Sequence, residues 1–150
     1  MQRADDTAVL VVHRRRPDGP QHTTLQDVSA QVTVPSTPQA ASLVRRRLAP
    51  LLRQAGVDDD VAFSLLVALS EAVNNAVEHA VDPVRPEVVV TLQVRAAERT
   101  AQVDVQDSGH WRERRPSMDR GHGATLMQAG GQVQVHPGDG GTRVTLTRPL

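Results

Sequence analysis

Residues 65–80 read LLVALSEAVNNAVEHA. Leu65, Ala68, Leu69, Ala72, Val73, Ala76 and Ala80 recur at spacings of three and four. That period lays them along one side of an α-helix, the side that meets a core. Two polar residues, Glu71 and Asn75, stand one turn apart in this apolar text. Residues four apart lie about 40° from each other around a helix, so these two project together beside the apolar face. A carboxylate and a carboxamide at the edge of a core are unfavourable unless something hydrogen-bonds them. Taken alone, the same text also fits a helix whose polar stripe faces water.

The totals bound what this helix can belong to. A chain of 150 residues is long enough for one domain with a packed core. Hydrophobic residues make up 39%, as in ordinary water-soluble proteins, and no run reaches the ~18 apolar residues of a membrane span. No secretory signal pattern opens the chain. Without cysteine, neither disulfides nor thiolate metal sites are available, which fits a cytoplasmic protein. The 17 basic and 17 acidic residues balance, so nothing in the average charge draws the chain to nucleic acid. The only aromatics are Phe63 and Trp111, too few for a base-stacking platform. All 17 basic residues are arginine, which suggests a GC-rich genome.

Outward from the helix, Asp58 is placed to cap its start, with Asp59 and Asp60 beside the positive end of its dipole. The helix ends near Ala80 or Val81, and residues 82–86 form a loop. An earlier helix is expected with Ser36 or Thr37 as its cap and Pro38 at its first position. Leu43, Val44, Leu48, Leu51, Leu52 and Ala55 form its apolar side, and Arg45, Arg46 and Arg47 its wet side or a partner surface. Pro50 should kink or divide it, and Gly56 should end it. Strands are expected over residues 7–12, 27–34, 87–95, 101–106, 132–136 and 141–147. Gly121-His122-Gly123 opens a short helical stretch over 124–129. This order, without internal repeat, predicts an α+β two-layer sandwich, with helices on one face of a mainly antiparallel sheet. Residues 1–21, a strand and an Arg-rich linker, stand apart from a domain over 22–150.

Four pieces carry chemistry. A hydrated magnesium ion bound to phosphates would satisfy Glu71 and Asn75. Gly121-x-Gly123 ahead of a helix lets backbone N–H groups converge on an anion at the positive end of the helix dipole. Asp107 at a strand end could accept a hydrogen bond from an exocyclic amine, while Gly109 leaves room for a flat base. Gly140-Gly141-Thr142 precedes the last strand. Each of the last three is also an ordinary turn or loop sequence.

In combination and order these motifs resemble the GHKL ATPase superfamily. LVALSEAVNNAVEHA, with the short span from Asp107 to Gly121, is similar to its anti-sigma-factor serine/threonine kinase branch, the RsbW and SpoIIAB type. The resemblance covers about residues 28–148 and implies a Bergerat-type ATP-binding fold. It implies Glu71 as general base, Asn75 as magnesium ligand, Asp107 as reader of the adenine amino group and Gly109 as the space for the ring. It implies Gly121 and Gly123 as lid residues at the phosphates and Thr142 as support for the adenine pocket. Asn74 and His79 fall in the same motif, with a helix-face hydrogen bond as their expected use. The lid departs from the family's frequent Gly-Arg-Gly-Leu, reading Gly121-His122-Gly123-Ala124, and Gly130-Gly131 cuts its helix short. ATP binding is therefore a firmer expectation than efficient phosphoryl transfer.

The resemblance implies a kinase using ATP and Mg2+, which phosphorylates a serine of an anti-sigma-factor antagonist (a STAS-type protein) and holds a sigma factor inactive. It is compatible with a homodimer and implies no direct contact with nucleic acid or membrane. The competing expectation is a weakly catalytic or non-catalytic ATP-binding module that sequesters a partner. Residues 3–12, RADDTAVLVV, resemble the last strand of SpoIIE-type protein phosphatases, where an Asp pair such as Asp5 and Asp6 contributes to a metal site.

Overall fold

The computed structural model describes residues 9–14, 24–81, 86–108, 110–111, 131–138 and 141–150. Val9–Arg14 (β1), Asp27–Pro35 (β2), Glu87–Arg95 (β4), Thr100–Gln106 (β5), Gln132–Gly138 (β7) and Gly141–Pro149 (β8) form one sheet in the order β1-β2-β4-β5-β8-β7. Every neighbouring pair in it is antiparallel. Ala80–Val81 (β3) and His110–Trp111 (β6) form a separate two-stranded ladder. Ala40–Gln54 (α1) and Asp59–His79 (α2) pack together over the sheet.

The alternation in the text becomes two unlike sheet faces. Val28, Ala30, Val32 and Val34 of β2, Val88, Val90, Leu92 and Val94 of β4, and Ala101, Val103 and Val105 of β5 are all buried. They meet Val44, Leu48 and Leu52 of α1 and Leu65, Leu69 and Val73 of α2 in one cluster. Burying each Val or Leu side chain contributes about 1.5–3 kcal/mol, so this layer dominates the energetics. The opposite face is polar. One row across it runs Gln31, Thr91, Asp104, Thr145, Gln134.

By length and composition α2 could cross a bilayer, but here its apolar side is the underside of the helix layer. The cap at its start is as expected. The Asp60 N–H donates to the Asp58 carboxylate at 2.9 Å, and the Ala62 N–H to the Asp58 carbonyl at 2.8 Å. Asp58→Ala should cost about 1 kcal/mol, seen as a lower urea midpoint with an unchanged slope. Gly56 (φ 79°) ends α1 in a Schellman turn. Its N–H meets the Arg53 carbonyl at 3.0 Å, and the Val57 N–H meets the Leu52 carbonyl at 3.1 Å.

Several expectations need correction. Helix α1 begins at Ala40 with Gln39 as an N-cap that makes no side-chain bond, so neither Ser36 nor Thr37 caps it. Pro38 instead sits inside a turn closed by the Ala40 N–H on the Thr37 carbonyl at 3.0 Å, a position its fixed φ suits. Ser36 is tied to the Pro86 carbonyl at 2.8 Å. Pro50 does not divide α1. Arg46, four residues earlier, is exposed as Pro50 is, so water can take the hydrogen bond that proline removes. β6 opens the polar, Arg-rich text between Gly109 and Gly121, where the sequence predicts no strand. Strand β1 continues to Arg14, two residues past its expected end, and extends the sheet beyond β2. Asp5, Asp6 and the stretch expected as a short helix over 124–129 lie outside the described residues.

Candidate active site

Helix α2 sets the first half of the site. Its buried face is centred on Leu65, Ala68, Leu69, Ala72 and Ala76. Asn75 lies about 40° closer to that centre than Glu71, which explains why Asn75 is only 3% exposed while Glu71 is half-buried. The Nδ2 of Asn75 is buried and has no hydrogen-bond partner among the described residues. Leaving such a donor unsatisfied costs about 1–3 kcal/mol, as much as burying one core leucine contributes. An acceptor from outside the protein would remove that penalty. A half-turn of the amide about its last torsion presents the carbonyl oxygen in its place, a hard donor suited to magnesium. Asn74 is half-buried and His79 is the last residue of α2.

The second half lies where β5 ends and β8 begins. Asp107 keeps the parity of Val103 and Val105, and Thr142 that of Val144 and Leu146, so both side chains fall on the helix side of the sheet. Both are buried, at 4% and 3% exposure. The Asp107 N–H donates to the Thr142 carbonyl at 3.0 Å. The Thr142 N–H reaches back to Oδ1 of Asp107 at 3.4 Å. Gly141 makes the approach feasible. Its φ is +129°, and a Cβ there would stand 1.9 Å from the Asp107 carbonyl oxygen. Text alone marks Gly141 as a turn residue. Its role as the contact surface for Asp107 depends on two strands meeting, which no local pattern reports.

The halves are joined by the short ladder that the sequence does not reveal. Ala80 pairs with Trp111 and Val81 with His110, so the end of α2 is fastened to the chain a few residues after Asp107. Helix α2 also packs on β5 and β8. Asp107 and Thr142 are therefore in direct contact, with Glu71 and Asn75 on the helix packed across the same strands. Gly109, Gly121 and Gly123 lie outside the described residues. Among the described residues, no group of three His, Asp or Glu side chains could hold a metal by itself.

Known proteins share this fold. Residues 34–148 match the family described as the histidine kinase-like ATPase domain. Among solved structures, the crystal structure of the RsbU and RsbW domains of Rv1364c from Mycobacterium tuberculosis aligns with a TM-score of 0.67 at 30% identity. That match covers 81% of this chain and 32% of the other, so this chain spans about a third of its length. The α+β layering agrees with the resemblance stated for the sequence. With 115 of its 150 residues inside the match, the chain belongs to the histidine kinase-like ATPase family, an ATP-binding GHKL fold of RsbW-like type.

Proposed function

We propose that this chain is an ATP-dependent serine/threonine protein kinase of the anti-sigma-factor type, acting in the cytoplasm. Its substrate would be a serine of a STAS-type anti-sigma-factor antagonist, and its other partner a sigma factor. The observation that carries this reading is the buried side-chain nitrogen of Asn75, without a hydrogen-bond partner among the described residues, one turn beyond Glu71. The helix that holds both packs across the strands presenting Asp107 and Thr142.

Asp107 would accept a hydrogen bond from the adenine amino group, with Thr142 supporting the pocket through its hydroxyl. Gly109 would leave space for the ring, and the amides of Gly121 and Gly123 would face the phosphates. Asn75 would hold magnesium, which supplies charge neutralisation on the phosphates when bound. Glu71 would accept the proton of the serine hydroxyl as its oxygen bonds to the γ-phosphorus. The bond from that phosphorus to the bridging oxygen breaks, and ADP leaves with the electron pair.

A second reading, an ATP-binding module that sequesters its partner with little catalysis, is favoured by the lid text. His122 and Ala124 replace the frequent Arg and Leu. Gly131, just ahead of β7, holds φ +137° with no room for a Cβ beside the Thr147 carbonyl.

The deciding experiment mixes the protein with Mg2+ and labelled ATP, with and without the antagonist. Labelled serine supports the kinase. Bound ATP without labelled serine supports the second reading. ATP at 100 times its Kd should add ~2.7 kcal/mol of stability, seen as a higher Tm. Asn75→Ala should abolish most of that Mg2+-dependent gain, and an unchanged Tm in the parent protein would remove both readings.

A further inference from the structure

Asp107 is held by more than its partner strand. The side-chain Nε2 of Gln106 donates to the Asp107 carbonyl oxygen at 2.8 Å. The same carbonyl is the atom that a Cβ on Gly141 would strike. The peptide between Asp107 and Ser108 is thus gripped from two sides, by an amide and by the backbone of Gly141. Above it, the Asp107 N–H and one carboxylate oxygen are engaged by Thr142. Gln106 has the opposite parity to Val105 and Asp107, so its side chain starts from the polar sheet face and not from the helix side.

We infer that Gln106 is a positioning residue for base recognition, reaching Asp107 through the carbonyl from the far face of the sheet. This inference rests on Asp107 accepting the adenine amino group. If the peptide plane after Asp107 rotates, the Asp107 backbone that carries the carboxylate shifts with it. A donor on that carbonyl keeps the plane fixed before the nucleotide arrives, so less ordering accompanies binding. Loss of that donor acts on the hydrogen bond that distinguishes the 6-amino group from a 6-oxo group. It leaves contacts to phosphates and ribose untouched.

The test compares the affinities for ATP and inosine triphosphate, which carries an oxygen where ATP has the amino group. The parent protein should prefer ATP. Gln106→Leu should weaken ATP binding about three- to tenfold and leave inosine triphosphate binding unchanged, so the preference falls by the same factor. Gln106→Glu keeps the shape without a donor and should do the same, which guards against a folding defect in the leucine variant. Gln102→Leu, which removes a bond to Asp104 on the same face, should leave the preference intact. A preference unchanged in both Gln106 variants, or a loss shared equally by the two nucleotides, overturns the role of Gln106. A parent protein that binds both nucleotides equally overturns the reading of Asp107 and this inference together.

Discussion

Glu71→Gln is expected to lower the rate of phosphate transfer to the antagonist serine by at least ~100-fold while leaving ATP bound. The substitution is close to isosteric. It removes the ability to accept a full proton and keeps the side chain's size at a half-buried position. Asn75, Asp107 and Thr142 are untouched, so nucleotide affinity and sigma-factor binding should stay within a few-fold of the parent. Single-turnover transfer and equilibrium nucleotide binding, measured on the same sample, separate the two quantities. If transfer persists at parent rates, Glu71 is not the base and the proton leaves by another route. If ATP binding collapses as well, Glu71 acts on the ground state.

Gly141→Ala should be the most damaging small substitution among the described glycines near the site. The new methyl would lie 1.9 Å from the Asp107 carbonyl oxygen and 2.8 Å from the Ser108 Cα. These are backbone atoms, which cannot swing aside as the end of a flexible side chain can. The φ of +129° adds strain of about 1–3 kcal/mol on its own. The total should exceed ~3 kcal/mol, in the range that marks a specific structural lesion. Because relief requires β5 and β8 to part at Asp107, ATP-dependent stabilisation should vanish with it. Gly138 is the control. A Cβ there would meet only the Gly141 carbonyl oxygen at 3.5 Å, so Gly138→Ala should change stability by less than ~1 kcal/mol. Urea midpoints for the two variants, with and without Mg2+ and ATP, give the comparison. Equal effects would mean that the hairpin, and not the grip on Asp107, sets the outcome.

The parts of the fold legible in the text are those with a local cause. Alternating Val and Ala wrote β2, β4 and β5, because a strand with one face buried must repeat every second residue. Asp58 and Gly56 marked helix ends, because capping acts within a few residues. Leu65 to Ala76 gave the core face of α2. What the text concealed depends on distant partners. Ser36 looks like a cap, but its backbone is tied to Pro86, fifty residues away in sequence, and the helix starts only at Ala40. His110 and Trp111 are a strand only because Val81 and Ala80 stand opposite them. The same division runs through the site. Glu71 and Asn75 share a helix and could be paired by spacing. Asp107 and Thr142 entered through a family pattern, and their hydrogen bonds became visible only with β5 beside β8. Gln106 carried no signal, since a glutamine at a strand end usually just faces water.

The turn between β4 and β5 lies at the opposite end of β5 from Asp107. Seven residues of strand separate them, about 23 Å at the usual rise. Glu98 in that turn is exposed, and the chain contains no cysteine. A single Glu98→Cys change would therefore create one unique chemical handle. A fluorophore or surface anchor attached there would report on the molecule, or hold it, from the pole of the sheet opposite the proposed nucleotide site.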